Sequence, residues 1–154
     1  VVQPSDWAVL WPALQRQGVR RGLDWLSVAR DARAPDLPDL NVCIQVNLSG
    51  ESTKSGVSAG EVAALALAVR ALPRLRLRGL TTIPEPTDDP ALVRGRFAQL
   101  RRLLETLNTD GLGLDTLSMG MSSDLEAAIL EGATIVRVGT AIFGSRTAAD
   151  RAMQ

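Results

Sequence analysis

The sequence predicts an α/β fold in which parallel strands are covered by helices. From residue 41 onward, short apolar segments rich in β-branched residues alternate with segments whose apolar residues recur at helical spacing. This alternation, at a period of about 20 to 35 residues, is typical of parallel strands that are connected by helices. The strand segments are apolar on both faces, as expected for strands buried inside a parallel sheet. The predicted strands are 42–48, 75–83, 114–118 and 134–138.

Local signals place the helices between these strands. Three helix starts carry capping signals, namely two capping boxes and an Asp-Pro pair: Ser58 with Glu61, Ser123 with Glu126, and Asp89-Pro90. Pro73 and Gly132 are expected to end the first and the third of these helices. A further helix is predicted to start at Gly139-Thr140.

The first 37 residues differ from the rest of the chain. No strand is predicted before residue 41, and prolines and glycines interrupt any long helix in this part. We therefore divide the chain into a divergent, partly helical N-terminal segment (1–37), an α/β unit (38–146) and a C-terminal tail (147–154).

The composition excludes several classes of function. The chain has 154 residues with 17 basic and 17 acidic side chains, so its zero net charge gives no reason to expect nucleic acid or an anionic membrane as a partner. It contains no histidine and no tyrosine, which rules out catalytic triads built on histidine, and its single cysteine rules out a multi-cysteine metal site. Without a membrane-spanning run or a signal peptide, a cytoplasmic protein without metal is expected.

Glycines and hydroxyl residues follow the predicted strands at the end where parallel sheets bind ligands. The amides of Gly139 and Thr140 lie at a helix start, Ser118 and Thr140 add hydroxyls, and Gly120 permits a close backbone approach. This combination favours a phosphate cradle. Serine and glycine are also common in strand-to-helix turns that bind nothing. On these grounds, a phosphate site and an ordinary turn both stay open as interpretations. The segments concerned are 47–56, 81–86, 118–122 and 139–140.

Arg137 lies inside a strand of β-branched residues, where a charge is costly unless it is paired. Its partner is either an acceptor atom of a ligand or a neighbouring carboxylate, Asp115 or Glu131. Cys43, which lies in an apolar strand, is interpreted as a small core residue and not as a nucleophile. The single lysine, Lys54, lies in a polar loop and is interpreted as solvated.

Several motifs together resemble the pyridoxal phosphate homeostasis proteins. The resemblance covers about residues 38 to 146 and also includes the segments 41–47, 51–56, 72–73 and 78–84. It implies a partial (β/α)8 TIM barrel of the alanine racemase N-terminal type, with about the C-terminal four to five βα units, since a full barrel needs ~250 residues. The strongest motifs are TLSMGMSSD (116–124), EAAI (126–129), GAT (132–134) and VRVGTAIFG (136–144).

The resemblance also implies a cofactor, pyridoxal 5'-phosphate (PLP), and roles for particular residues. Ser118, Gly139 and Thr140 would bind the phosphate, and Arg137 would be the partner of the pyridine nitrogen. Because arginine stays protonated it can only donate to that nitrogen, which keeps the ring unprotonated and makes it a weak electron sink. The positions implied to lie nearby are Asn47, Met119, Gly120, Met121 and Ser122.

The sequence also departs from this family. It has no counterpart of the family's Schiff-base lysine on the first barrel strand, nor of a histidine-containing segment before the middle of the barrel. We therefore expect a truncated member that keeps the phosphate and ring-nitrogen half of the site and has no catalytic residue. Lys54 matches a lysine that the family also places in this loop, and we hypothesise that it is a secondary amine for the cofactor.

The resulting prediction is a PLP-binding protein of intracellular PLP homeostasis, which stores or delivers the cofactor and has no expected turnover. Apo forms of PLP-dependent enzymes are its expected recipients. One alternative is a non-catalytic interaction module, in which the open edge of the half-barrel pairs with another chain. A second alternative, an isomerase like alanine racemase, is disfavoured because the chain has no tyrosine.

Overall fold

The computed structural model of the protein describes residues 36–49 and 56–144, together with the backbone of residues 7–10. The strands in these ranges are β1 (Trp7–Leu10), β2 (Leu40–Asn47), β3 (Val57–Ser58), β4 (Leu75–Thr81) and β5 (Thr116–Ser118). A short 3-10 helix (Ala59–Glu61) precedes the α-helices, which are α1 (Val62–Arg70), α2 (Pro90–Thr109), α3 (Leu125–Leu130) and α4 (Thr140–Phe143). From β3 to α3 strands and helices alternate, which confirms the predicted α/β class.

All described strand pairs are parallel. The sheet order is β1-β2-β4-β5, with β3 paired to the end of β2. The predicted absence of strands before residue 41 was wrong, because β1 pairs with β2 from Trp7↔Asn41 to Leu10↔Ile44. A four-residue apolar segment is too short for its periodicity to distinguish a strand from a helix, so only the pairing with β2 identifies it.

The predicted strand 134–138 is present only as a single parallel bridge between Ser118 and Ile135. The amides of Thr134 and Ile135 both donate to the carbonyl of Leu117, and the Thr134 hydroxyl accepts from the Leu117 amide at 2.8 Å. A side chain thus takes a position that a regular ladder would give to a backbone carbonyl. The segment still runs beside β5, because Met119 N donates to Ile135 O at 3.1 Å.

The helix boundaries follow most of the predicted capping signals. Ser58 donates to the Glu61 carboxylate from its amide (3.0 Å) and its hydroxyl (2.6 Å), and Asp89 caps α2 by accepting from two amides. The second predicted capping box does not form. Helix α3 begins one residue later than predicted, with Asp124 at its N-cap, and its end is followed by Gly132 in the left-handed region (φ 86°).

The two faces of the sheet are buried in different ways. One face packs its apolar side chains against α1 and α2, as Val42, Ile44 and Val46 of β2 show. The other face is buried but largely polar, which corrects the expectation of strands that are apolar on both faces. Since side chains alternate along a strand, the polar set lies opposite the apolar one. Its buried members are Asn41, Gln45, Thr81, Thr116 and Ser118, with Cys43 among them.

A bulge fixes how β4 lies between its neighbours. Val42 pairs with Leu77 and Cys43 with Gly79, so Arg78 is an extra residue on β4. The Arg78 guanidinium donates to both carboxylate oxygens of Asp115, with N–O distances of 2.6 to 3.1 Å. Gly79 lets β5 approach, since a Cβ there would lie 1.8 Å from the carbonyl oxygen of Thr116.

Among the described helices, none combines the length and the hydropathy that are needed to cross a bilayer.

Candidate functional site

The carboxyl ends of β2, β4 and β5 meet at one edge of the sheet. Gln45 is in register with Thr81, and Thr81 with Ser118. The Thr82 hydroxyl donates to Val46 O at 2.9 Å and the Thr82 amide to Ser118 O at 3.3 Å. The loops that follow these strands are therefore tied together, as their parallel order predicted.

Arg137 reaches across this edge from the segment that follows α3. Its Nη1 donates to Thr81 Oγ1 (3.0 Å), Ser118 O (2.9 Å) and Ser118 Oγ (2.8 Å), and its Nη2 donates to Thr82 O (2.7 Å). The side chain is half-buried, and the guanidinium points into the sheet edge. A guanidinium carries five N–H donors. Within the described ranges, two of them, Nε–H and the second N–H of Nη2, have no acceptor.

No carboxylate contacts this guanidinium in the described part of the chain. Asp115 pairs with Arg78, and Glu131 pairs with Arg94 at 2.6 Å and Arg101 at 3.3 Å. The alternative in which either acid neutralises Arg137 is therefore wrong.

Burial lowers the pKa of the Arg137 guanidinium, although the negative charge of Asp124 opposes this shift. Arginine nevertheless stays protonated at neutral pH. A half-buried cation that contacts only neutral acceptors, and that still has N–H donors without a partner, is suited to binding an acceptor atom of a ligand.

The loop after β5 lies alongside the Arg137 segment. Met119 N donates to Ile135 O and Arg137 N donates to Gly120 O at 2.9 Å. Gly120 has φ 93°, and a Cβ there would lie 2.5 Å from the Cβ of Ala128 on α3. Glycine is therefore required at position 120 for both backbone conformation and packing.

The loop then reaches the start of α4, where the predicted phosphate cradle lies. The Ala141 amide donates to Ser122 Oγ at 3.2 Å. The exposed amides of Gly139 and Thr140 have no acceptor among the described residues. Gly139 has φ −119°, and no described residue would lie within 4 Å of a Cβ there, so neither conformation nor packing within the described ranges requires a glycine. Open space next to two free amides is what a bound anion needs.

The structure divides the predicted site residues into two groups. Ser118 lies with Arg137, where its hydroxyl accepts from the guanidinium. Ser122 lies with Gly139 and Thr140 at the start of α4.

The remaining predicted positions contribute differently. Asn47 ends β2, and its Oδ1 accepts from the amide (3.1 Å) and the hydroxyl (3.0 Å) of Ser49, which shapes the loop that follows. The side chain of Met119 is fully buried in the apolar core, and Met121 N donates to Asp124 Oδ1 at 2.5 Å. Lys54 lies outside the described residues.

Two residues of this site were not singled out from the sequence. Thr81 and Thr82 supply a hydroxyl and a carbonyl to the Arg137 guanidinium. They lie in the segment 81–86 that was marked as a strand end, but a Thr-Thr pair in a strand is ordinary β-sheet composition. The signal that identifies them is their register opposite Ser118, which exists only once the sheet is formed.

A cleft of about 750 Å³ lies beside the cradle and shares Ser122 with it. Its lining includes the carboxylates Glu85, Asp88, Asp124 and Glu126. Because like charges repel, this cleft does not favour a phosphate, whereas the free amides of the cradle do.

Known proteins resemble this chain over most of its length. The model of the alanine racemase N-terminal domain family matches residues 14–147. The pyridoxal phosphate homeostasis protein of Pseudomonas aeruginosa is 59% identical over 127 residues, which cover 80% of this chain and 54% of that protein. The protein of the same name from Pasteurella multocida is 39% identical over 156 residues, which cover 93% of this chain and 67% of that protein.

A solved structure also matches. The structure of PipY from Synechococcus elongatus with PLP bound has a TM-score of 0.67 and 31% identity, and the match covers 90% of this chain and 61% of that one.

These matches extend the resemblance seen in the sequence. The family match begins at residue 14, earlier than the residue 38 at which the motifs become recognisable. The chain spans about half the length of several of the curated relatives that it matches. The family model matches most of the chain, and the Pasteurella multocida relative is 39% identical over 67% of its own length. The chain therefore belongs to the alanine racemase N-terminal domain family, among the pyridoxal phosphate homeostasis proteins.

Proposed function

We propose that this chain binds pyridoxal 5'-phosphate at the carboxyl ends of β4 and β5 and takes part in the intracellular homeostasis of that cofactor. The observation that carries the proposal is the half-buried Arg137 guanidinium. Among the described residues it has no carboxylate partner, and some of its N–H donors have no acceptor. The relatives named for PLP homeostasis and the PLP-bound structure of PipY support the same cofactor.

In this proposal, the guanidinium of Arg137 holds the ring. It donates from Nε or Nη2 to the pyridine nitrogen, which is an acceptor only while it is unprotonated. When bound, PLP supplies an aldehyde and an electron-withdrawing ring, and an unprotonated ring withdraws electrons weakly. The arrangement therefore favours holding the cofactor over carbanion chemistry.

The start of α4 holds the phosphate. The amides of Gly139 and Thr140 and the hydroxyls of Ser122 and Thr140 are the proposed donors. Gly139 and Thr140 are exposed, Ser122 is half-buried, and no described residue would lie within 4 Å of a Cβ at Gly139, which leaves room for a phosphate. The hydroxyl of Ser118, which the resemblance implied as a phosphate ligand, already accepts from Arg137. Because Ser118 contacts Arg137, we assign it to the ring side of the site, and its own hydrogen stays available to a ligand oxygen.

A protein that holds PLP without turning over a substrate stores or delivers it. The recipients that we propose are apo forms of PLP-dependent enzymes, and the proposed compartment is the cytoplasm.

Titration of the full chain with PLP, followed by absorbance and tryptophan fluorescence, tests the proposal. We expect saturable binding that is weaker for pyridoxal, which lacks the phosphate, and is competed by inorganic phosphate at high concentration. Replacing Arg137 by glutamine should weaken PLP binding by about 10-fold or more, because a hydrogen bond from a charged donor is lost.

The control variant is Arg102→Gln, which removes the same charge from an exposed position on α2. It should bind PLP like the wild type. Absence of saturable binding to the wild-type chain, or equal affinities of the Arg137→Gln and Arg102→Gln variants, would contradict the proposed function.

A further inference from the structure

Thr81 lies directly against the guanidinium of Arg137. It is the last residue of β4, the residue is 2% exposed, and it pairs with Ser118 in the register of β4 and β5. Its hydroxyl donates to Ser118 O at 2.7 Å and accepts from Arg137 Nη1 at 3.0 Å. A hydroxyl has one hydrogen, so donation to the carbonyl leaves only its lone pairs to face the guanidinium.

The contacts of Arg137 are distributed unevenly over its nitrogens. Nη1 has three acceptors, two of them on Ser118 and one on Thr81, whereas Nη2 has one. A planar guanidinium that is anchored at Nη1 and Nη2 has a fixed orientation, and the Nε–H direction follows from it. The hydroxyl of Thr81 is the anchor from β4, and Ser118 supplies the anchors from β5.

We propose that Thr81 is a positioning residue, whose hydroxyl orients the Arg137 guanidinium so that its unpartnered donors face the pyridine nitrogen of the bound cofactor. This inference rests on the proposed function and adds a residue that acts through Arg137. Thr81 does not itself need to contact the ligand. Without its hydroxyl, Nη1 is held by Ser118 alone and Nη2 by Thr82 O, so the charge stays satisfied while the orientation of the guanidinium is less restricted.

The first test compares PLP affinities. Thr81→Val keeps the β-branched shape and removes the hydroxyl, and it should weaken PLP binding by about 3- to 10-fold, as expected for one hydrogen bond. Thr81→Ser should restore binding to near the wild-type value. Thr116→Val is the matched control, because Thr116 is similarly buried (4% exposed) and its hydroxyl contacts Asp115 instead of Arg137. Thr81→Ala replaces the valine variant if that variant does not fold.

The second test asks whether the effect passes through Arg137. In an Arg137→Gln background, the Thr81→Val substitution should no longer change PLP affinity, as a double-mutant cycle would show. The ¹⁵N chemical shift of ¹⁵N-labelled PLP should change in Thr81→Val and stay unchanged in Thr116→Val. An equal loss of affinity in both backgrounds, or an unaltered ring signal, would overturn the role of Thr81.

A third measurement needs no cofactor and separates this inference from the proposed function. The Nε–H resonance of Arg137, identified by its absence in Arg137→Gln, should be sharp in the wild type and broadened in Thr81→Val. If the wild-type chain failed to bind PLP but showed this difference, the proposed function would fall and the positioning contact would stand. An Nε–H signal that is identical in both proteins would refute the positioning role whether or not PLP binds.

Discussion

Two glycines of the proposed site differ in what the fold requires at their positions. Gly120 has a positive φ, and its α-hydrogen faces Ala128 where a methyl group would not fit. Gly139 has an ordinary φ, and none of the residues that the structure describes would contact a Cβ at this position. Backbone conformation and packing therefore explain Gly120, whereas neither of them explains Gly139 among the described residues, and we propose that access to its backbone amide does.

A pair of alanine substitutions should separate these roles. Gly120→Ala should lower the free energy of unfolding by about 2 kcal/mol or more through strain and overpacking. Gly139→Ala should change that free energy by less than about 0.5 kcal/mol, as for an exposed site. It should nevertheless weaken PLP binding by about 10-fold, because the methyl group occupies the space in which the phosphate would lie.

Urea denaturation and PLP titration of the same two variants measure both quantities. Each variant is the control for the other. A Gly139→Ala protein that binds PLP as tightly as the wild type would show that the space at position 139 is not used for the ligand.

At the scale of elements, one acid joins α3 to α2. Glu131 is 7% exposed at the end of α3 and accepts from Arg94 and Arg101, both on α2. These hydrogen bonds lower the pKa of the Glu131 carboxyl, and the bond from Arg94 contributes most to the shift. The contact holds α3 in place, and α3 in turn supports Gly120 and the loop that leads to the cradle.

This contact predicts a pH dependence of stability. A carboxyl whose pKa is lower in the folded than in the unfolded state stabilises the fold above its unfolded pKa of about 4.3, and this contribution is lost as the pH falls through the folded pKa. The wild type should therefore be more stable than Glu131→Gln at pH 7, and the difference should shrink toward pH 3.

Urea denaturation at pH 7, 5 and 3 checks this expectation. Glu105→Gln is the control, because Glu105 pairs with Arg101 on the exposed surface of α2. A difference between wild type and Glu131→Gln that stays constant with pH would contradict the ion-pair explanation.

At the scale of the whole molecule, the sheet is buried on both faces, and its single cysteine reports on that burial. Cys43 lies on β2 between β1 and β4 and is 2% exposed. Burial, opposed by the nearby positive charge of Arg78, raises the pKa of the Cys43 thiol to about 12. The thiol is therefore protonated and inaccessible in the native protein, as the sequence predicted for a core residue.

Labelling of Cys43 by a thiol reagent should consequently require opening of the sheet. At pH 7 we expect labelling to be slower by more than about 100-fold in buffer than in denaturing urea, as for a group that is exposed only by large-scale unfolding. The disulfide exchange reagent DTNB, followed by absorbance, measures both rates. Labelling of the native protein at a rate near that of the unfolded chain would show that β2 is accessible and would contradict the burial of this face.

The sequence was sufficient for those features that depend on local chemistry. The period of apolar residues predicted the helices and the central strands, and Ser58, Asp89 and Gly132 predicted helix boundaries, because caps and stops act within a few residues of the chain. The meeting of the strand ends at one edge, where we propose the site, also followed from sequence, since parallel order brings those ends together.

Other features were decided only by the tertiary structure. Trp7–Leu10 is a strand because β2 lies beside it, and the segment 134–138 is a single bridge because a threonine side chain replaces part of its ladder. The partner of Arg137 could not be predicted from the sequence, because a ligand, Asp115 and Glu131 were all plausible partners. The structure shows that both acids pair with other arginines. Thr81 comes to the guanidinium from 56 residues away. Local patterns specify the elements, but contacts between distant residues depend on register, which exists only after the sheet has formed.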